Sequence, residues 1–400
     1  MIDKDKIQIS DIPQSPRIAI VCDWLTGIGG AEKVVLEIHK MYPDAPIYTS
    51  QYDPIELGWF SGADVRTGWL QKFPTSLKKF MPVLRAWYFS HLNLNEYDVI
   101  ISVNFGAESK GIKFRSDALH ICYCNAPTHY YWSRYDDYIK NPGFGLLNPV
   151  ARLGLKLLVG PMRKWDYKAA QRPSVMIANS GHIAKEIKKY YGRESTVIHP
   201  PVDTKKFLVL SSKFSEATQN PELRTQNPKS SPRSGYVVAG RQTPYKRFDL
   251  AIAAATKLFL PLTVLGNGPD HSRLVKLAGP SVKFKKNVSD NDMVKAFQNA
   301  KGFIFAGLDD FGITPVEAMA AGTPVIAFKA GGALDYVVDG QTGTFFSEQT
   351  VQSLVDALEK FETLTFSEET VVNKAVQFNP ENFKVNIRNF VNDELAKLQK

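Results

Sequence analysis

The chain has 400 residues, 44% apolar and 22% charged, which is too long for one ordinary core and suits two domains, each burying its own centre. The formal net charge of +9 points to anionic partners, but the cations are scattered and no nucleic-acid motif occurs, so small phosphorylated substrates or an acidic lipid surface are expected and nucleic acid is not. No apolar run reaches bilayer length, the start MIDKDKIQISDIP lacks a signal peptide's apolar stretch, and three cysteines cannot frame disulfides; a cytoplasmic protein is expected, peripheral at the inner membrane face at most.

In chain order, residues 17–22 (RIAIVC) read as a strand that ends at a glycine-bearing turn, 27–30. A helix is predicted over 31–41, with Val34, Val35 and Ile38 on one face. Further strands are predicted at 97–103, 119–124, 175–178 and 196–198, with helices over 148–171 and 182–191 between them. Cys122 and Cys124 lie in the apolar run HICYC at a spacing that matches no zinc pattern, so core packing is expected there and no metal site. From 209 to 234 the composition shifts to Ser, Asn, Pro, Thr and Lys, an irregular connection. The strand–helix alternation restarts at Gly235, with strands at 236–240, 261–266, 282–284, 302–305 and 324–327. A helix is predicted from Lys246 to about Leu258, and a terminal one over 381–398.

Such alternation implies parallel sheets covered on both faces. The expected fold is α/β, two doubly wound Rossmann-like domains facing a central cleft. Its parts are an N-terminal extension 1–16, a first domain 17–208, the connection 209–234, a second domain 235–380, and a terminal helix 381–400 packing back toward the first domain. Ligands in such sheets bind beyond the carboxyl ends of the strands.

Residues 307–322 (GLDDFGITPVEAMAAG) carry the most chemistry, running from an apolar strand into a helix. Thr314 is placed to cap that helix, with Pro315 at its first position. The amides from Gly312 through Ile313 to Val316 would then point from a positive helix end into the cleft, an anion site suited to a diphosphate. Glu317, one turn in, is free for hydroxyls such as those of a ribose, and Asp309 on the loop for those of a sugar. Isolated acids of this kind are more often an ordinary cap or loop residue; the order strand, acidic loop, Gly, Pro, Glu, helix reverses that preference.

Residues 240–246 (GRQTPYK) put Gly240, Arg241 and Lys246 at the carboxyl edge of the second domain's first strand. When a glycosyl–diphosphate bond breaks, negative charge grows on the leaving group, and a positioned Arg and Lys can stabilise it as a metal ion would. One such charge at about 4 Å is worth roughly 4 kcal/mol at an effective dielectric near 20. A solvated basic turn is the plainer reading of the same pair. In the first domain, Gly29 and Gly30 would let the backbone approach a phosphate or sugar, or simply make a tight turn; the spacing is not that of G-x-G-x-x-G.

Together these residues resemble the glycosyltransferase family 4 pattern of the GT-B fold, through RIAIVCDWLTGIGGAEKV, HICYCNAPTHYYW, IANSGHIAKEIKKYYG, VIHPPVD, GRQTPYKRFDLAI, DDFGITPVEAMAAGTPVIA and GGALDYVVDGQTG. Within that family the chain is most similar to the O-antigen mannosyltransferase branch. The resemblance implies a retaining, metal-independent transfer without a cofactor, from GDP-mannose first and a UDP-sugar second, to a glycan or lipid-linked acceptor in polysaccharide or glycolipid synthesis. By position, Arg241 and Lys246 would hold the diphosphate and Glu317 the ribose. Asp309, with Phe311, Gly312, Ile313 and Thr314, would hold the sugar, and Gly266, Asn267 and Gly268 would shape the nucleotide pocket. Asp309 stands where Glu is usual, Asn125 where relatives often carry His, and Asp335 where the branch often has Glu. His129 could reach the space near Asn125 as an acid–base group, though a structural histidine is the plainer reading.

The acceptor side is written less clearly. Residues 67–91 interleave Trp69, Phe73, Phe80, Trp87 and Tyr88 with Lys72, Lys78, Lys79 and Arg85, and 152–168 repeat the mixture. Such stretches either lie on an anionic membrane surface or pack as core helices with solvated lysines. Two other readings of the whole chain are a nicotinamide-dependent oxidoreductase, which lacks its fingerprint here, and a non-catalytic nucleotide-sugar-binding protein.

Overall fold

A computed structural model of the chain describes residues 16–140, 142–143, 145–208 and 233–398. The extension 1–15 and most of the expected connection, 209–232, lie outside the described residues. Seven strands build the first sheet: β1 (Ile18–Cys22), β2 (Ile47–Thr49), β3 (Val65–Thr67), β4 (Val99–Asn104), β5 (Leu119–Cys124), β6 (Val175–Ala178) and β7 (Thr196–Val197). All pair in parallel, in the order β3-β2-β1-β4-β5-β6-β7. Six more, β8 (Tyr236–Ala239), β9 (Leu262–Leu265), β10 (Val282–Lys285), β11 (Gly302–Phe305), β12 (Val325–Phe328) and β13 (Gly343–Phe346), form a second parallel sheet ordered β10-β9-β8-β11-β12-β13. The expected fold class holds: two doubly wound α/β layers, each reversing its strand order beside its first strand.

The central strands read as mostly apolar, buried runs because both faces are covered, whereas β3, β7 and β10 are partly exposed. In β1, Ile20 and Cys22 pack under helix Gly30–Met41 with Val34, Val35 and Ile38, whereas Ala19 and Val21 face the opposite cluster with Tyr88 and Phe89. In the second sheet Val237 and Phe303 point to one core, and Tyr236, Val238 and Ile304 to the other. All three cysteines are buried free thiols within these layers.

The chain crosses between the domains twice. Ile198 still packs in the first core, but Val202 and Phe207, which composition assigns to the first domain, belong to the second. The return follows Phe378 of the second core, after which helix Pro380–Leu398 lays Phe383, Ile387 and Val391 into the first core. A backbone hydrogen bond from Val202 N to Phe378 O, 2.8 Å, ties the two crossings together.

Two local expectations are corrected. Lys246 does not begin a helix: Pro244–Lys246 form a 3-10 turn, Arg247 takes a left-handed conformation (φ 52°), and the α-helix starts at Phe248. Thr314 is not the cap of its helix. That helix spans Ile313–Ala320 and is capped by Gly312 at φ 88°.

Candidate active site

The carboxyl edges of the two sheets face each other, and the loops leaving β1, β8, β9 and β11 meet there. After β11, residues 306–312 turn back beneath the helix Ile313–Ala320. Glycine at 312 is required both by its left-handed φ and by space: a Cβ there would sit 2.8 Å from Tyr336 Oη and 2.9 Å from the Phe305 ring. The first-turn amides of Ile313 and Thr314 have no intrahelical acceptor, and Pro315 contributes no donor, so these two N–H groups collect at a positive helix end. Phe311 is buried beneath them against Tyr336 and Phe378.

The loop after β8 packs on the loops after β9 and β11. A Cβ on Gly266 would strike Gly240 O, one on Gly268 would strike the backbone of Gln242, and one on Gly307 would lie 2.9 Å from Lys246 Cα. Gly266, Gly268 and Gly307 thus allow close backbone stacking, and Gly240 supplies a backbone conformation at φ 138°. Buried Gln242 ties it down, donating from N to Asn267 O at 2.9 Å and from Nε2 to Gly266 O at 2.8 Å, and meeting His271 Nδ1 at 2.7 Å. On this platform Lys246 forms an ion pair with Asp309. Burial lowers the pKa of the Lys246 ammonium, but the Asp309 carboxylate outweighs it and the net shift is upward. Arg241 stands exposed at the end of β8 and makes no salt bridge among the described residues.

Two buried polar atoms here have no hydrogen-bond partner among the described residues: Asp309 Oδ1 and Tyr336 Oη. Such groups are costly unless something satisfies them. Glu317, one turn along, faces Lys33 of the first domain with 3.5 Å between Nζ and Oε1. Burial raises the Glu317 pKa, and Lys33 and Lys206 only partly oppose it. Gly30 allows this approach, since a Cβ there would lie 2.6 Å from Ile313 Cδ1. Gly29 caps the first domain's helix in extended conformation.

The remaining candidates serve as braces. His129 donates or accepts at both ring nitrogens, to Ser133 Oγ (3.0 Å) and Asp310 Oδ2 (3.0 Å), so both are engaged by protein partners. Asn125 is committed as well: its N and Nδ2 both donate to Asn104 O, and its carbonyl accepts from Asn179 Nδ2, lacing the ends of β4, β5 and β6 together. Asp335 accepts from Gly181 N (2.9 Å) and pairs with His199 (3.3 Å).

Sequence reasoning missed Asp310, the neighbour of Asp309 and the centre of the inter-domain contact. Its carboxylate takes His129 and lies 3.8 Å from Arg134 Nη2, and its carbonyl accepts from Ser180 Oγ at 2.5 Å. Burial works to raise its pKa, but His129, Arg134 and His182 prevail and pull it down to about 2. Arg134 also donates to Leu308 O (2.9 Å) and stacks over Tyr245, 4.4 Å from the ring centre. The pair DD was visible in the sequence; which acid faces the neighbouring domain was not. Among the described residues no three His, Cys, Asp or Glu side chains gather as a metal set.

Residues 219–378 match the family model for glycosyl transferases group 1. Over 84% of this chain and 87% of the relative, the sequence is 25% identical to the alpha-1,3/1,6-mannosyltransferase ALG2 of Dictyostelium discoideum. It is 30% identical to the D-inositol 3-phosphate glycosyltransferase of Mycobacterium tuberculosis (strain ATCC 25177 / H37Ra), over 46% of this chain and 40% of that one. Among solved structures, Anabaena HepE in complex with UDP-glucose superposes with a TM-score of 0.60 at 18% identity, covering 94% of this chain and 99% of the other. The likeness to that structure is one of fold. The chain therefore has the GT-B fold, and its likeness to the group 1 glycosyl transferases rests on residues 219–378.

Proposed function

We propose that the protein is a retaining hexosyltransferase of family 4 type, related to the O-antigen branch, that moves mannose from GDP-mannose to a glycan or lipid-linked acceptor. The observation that carries this reading is the coincidence, around one helix N-terminus, of the Lys246–Asp309 pair and two buried oxygens, Asp309 Oδ1 and Tyr336 Oη, that lack a partner among the described residues. A diphosphate placed on the Ile313 and Thr314 amides would draw Lys246 away from Asp309 and engage Arg241. Asp309, released, would accept from sugar hydroxyls beside Tyr336 Oη, with the Phe311–Gly312–Ile313 backbone below. Glu317 would take the ribose, exchanging Lys33 for its hydroxyls, and the stacked glycines at 240, 266 and 268 would set the nucleotide pocket.

In the transfer step the bond from the anomeric carbon to the departing phosphate oxygen breaks, and the acceptor oxygen bonds that carbon on the same face. The acceptor's proton passes to the departing phosphate oxygen, so no side-chain base is needed; His129 and Asn125 are spoken for in any case. Arg241, Lys246 and the amides stabilise the developing diphosphate charge, with no metal or cofactor required. Mannose is favoured by the mannosyltransferase relative that spans most of the chain; a UDP-sugar is the second donor, since the cradle described recognises the diphosphate rather than the base.

The test is thermal stabilisation and donor hydrolysis by the purified protein with GDP-, UDP- and ADP-sugars. GDP-mannose should stabilise most and be hydrolysed slowly. A protein that no nucleotide-sugar stabilises would sink the reading, and stabilisation without hydrolysis or transfer would leave a binding protein.

A further inference from the structure

In a parallel sheet the helix after a strand begins at that strand's carboxyl edge, so the N-terminal half of helix Asn148–Ala170, which links β5 to β6, lies on the cleft side of the first domain. That half is apolar but not buried. Val150 is 69% exposed, Leu153 60% and Leu157 68%. Only from Met162 onward does the helix pack inward, through Met162, Asp166, Ala169 and Ala170. Beside it runs helix Pro82–His91: Trp165 Nε1 bonds Ser90 Oγ at 3.1 Å, and Met162 and Val159 pack with Ala86.

This second helix continues the exposed surface. Trp87 stacks on His91 (4.3 Å between ring centres) and meets Trp69 at 5.9 Å, which meets Phe73 at 6.0 Å. Trp69, Phe73, Val83, Leu84 and Trp87 are each more than one-third exposed. Gln51, just beyond β2, holds the Trp69–Phe73 turn at the same sheet edge through Leu70 O and Phe73 O. Exposed apolar side chains grouped on two packed helices and the turn beside them mark a contact site.

Charge identifies what it contacts. Acids number 40 in the 400 residues, yet 65–91 and 145–165 contain none, and Arg66, Lys72, Lys78, Lys79, Arg85, Arg152, Lys156, Arg163 and Lys164 lie within those two stretches. Arg85 is consumed by Glu108 and Arg66 by Asp64; Lys72, Lys156 and Lys164 are exposed. No helix of the described residues is long and apolar enough to cross a bilayer. We infer that the exposed face formed by helices Asn148–Ala170 and Pro82–His91 and the Trp69–Phe73 turn docks the protein in the plane of an anionic lipid surface. Leucines and tryptophans enter the headgroup boundary there and lysines meet the phosphates. The inference extends the proposed function without depending on the donor, for it places the cleft's first-domain wall against the surface from which a lipid-linked acceptor would come.

The test is flotation of the full chain with phosphatidylcholine vesicles containing about 30% phosphatidylglycerol, with oligomeric state measured by light scattering. The wild type should float at low salt and bind less as salt rises. L153E/L157E should weaken partitioning by about tenfold or more while keeping the parent's melting temperature and donor hydrolysis. K156Q/K164Q, which leaves the apolar contacts in place, should bind more weakly and lose part of the salt dependence. Absence of wild-type flotation at low salt overturns the inference, as does equal flotation of L153E/L157E. A wild-type dimer that L153E/L157E dissociates, with no vesicle binding, would instead make this face an interface between copies. Because donor hydrolysis is read separately, loss of flotation and loss of donor chemistry are distinguishable.

Discussion

Both sheets gather charge at the carboxyl edge of their central strands, and they treat it in opposite ways. In the first domain Lys110 and Asp166 are fully buried and pair at 2.6 Å; Asp166 also accepts from Thr128, Trp132 and Tyr191, and Lys110 also donates to Ala107 O. Glu108 takes Arg85 and Tyr130, and Asp23 takes the amides of Phe105 and Ser109. There these charges are satisfied by one another, although Tyr131 Oη and Asn179 Oδ1 nearby lack partners among the described residues. In the second domain the corresponding edge pairs Lys246 with Asp309 but leaves Asp309 Oδ1 and Tyr336 Oη without partners among the described residues, Arg241 in solvent, and a helix N-terminus at the cleft. A closed network fixes loops; an open one waits for a ligand.

The contrast breaks first if a closed-network residue proves dispensable. Lys110→Met should leave Asp166 buried without its cation and cost about 3 kcal/mol or more of stability, read by denaturant unfolding. Lys246→Ala should cut turnover on the correct donor by about 100-fold or more and, because Asp309 keeps partial exposure and the Arg134 charge nearby, cost less unfolding free energy than Lys110→Met. If Lys246→Ala unfolded the protein as readily as Lys110→Met, the second edge would be structural as well. Tyr336→Phe removes an unsatisfied buried hydroxyl, so stability should hold or rise, while donor affinity falls by about 1 kcal/mol, visible in a titration with the nucleotide-sugar. The smallest effect concerns Asp310. Its folded pKa of about 2 lies below the ordinary 3.8, so its contribution is present above about pH 4 and is lost as pH falls toward 2. Asp310→Asn should therefore flatten the acid limb of the stability curve in that window and leave its slope between pH 5 and 6 unchanged.

What could be read in advance followed from local physics. β4 and β5 are six-residue apolar runs, long enough to announce themselves. β2 and β3 have three residues each, and two of the three in β3 (VRT) are polar; they exist because β1 offers an edge to extend, a tertiary cause. The helix tip after β11 was legible from its glycine, proline and acids, but its first residue was not. Thr314 is a good cap by preference, yet the close packing of residue 312 against Tyr336 and Phe305 admits only glycine in a left-handed conformation, and that decides the start. Lys246 was placed on the right loop and in the wrong element because Pro244 and the left-handed Arg247 insert a turn. Asp310, Arg134, Ser180 and Tyr336 act across more than a hundred residues or through packing, and neither leaves a periodic trace.

The terminal nineteen-residue helix carries a consequence for how such a chain can be cut or recombined. Since Phe383, Ile387 and Val391 complete the core begun by Ile20 and Val34, a fragment stopping near residue 380 would expose a raw hydrophobic floor under its opening sheet. Chimeras that graft one parent's head onto another's body should stay soluble only when the tail travels with the head.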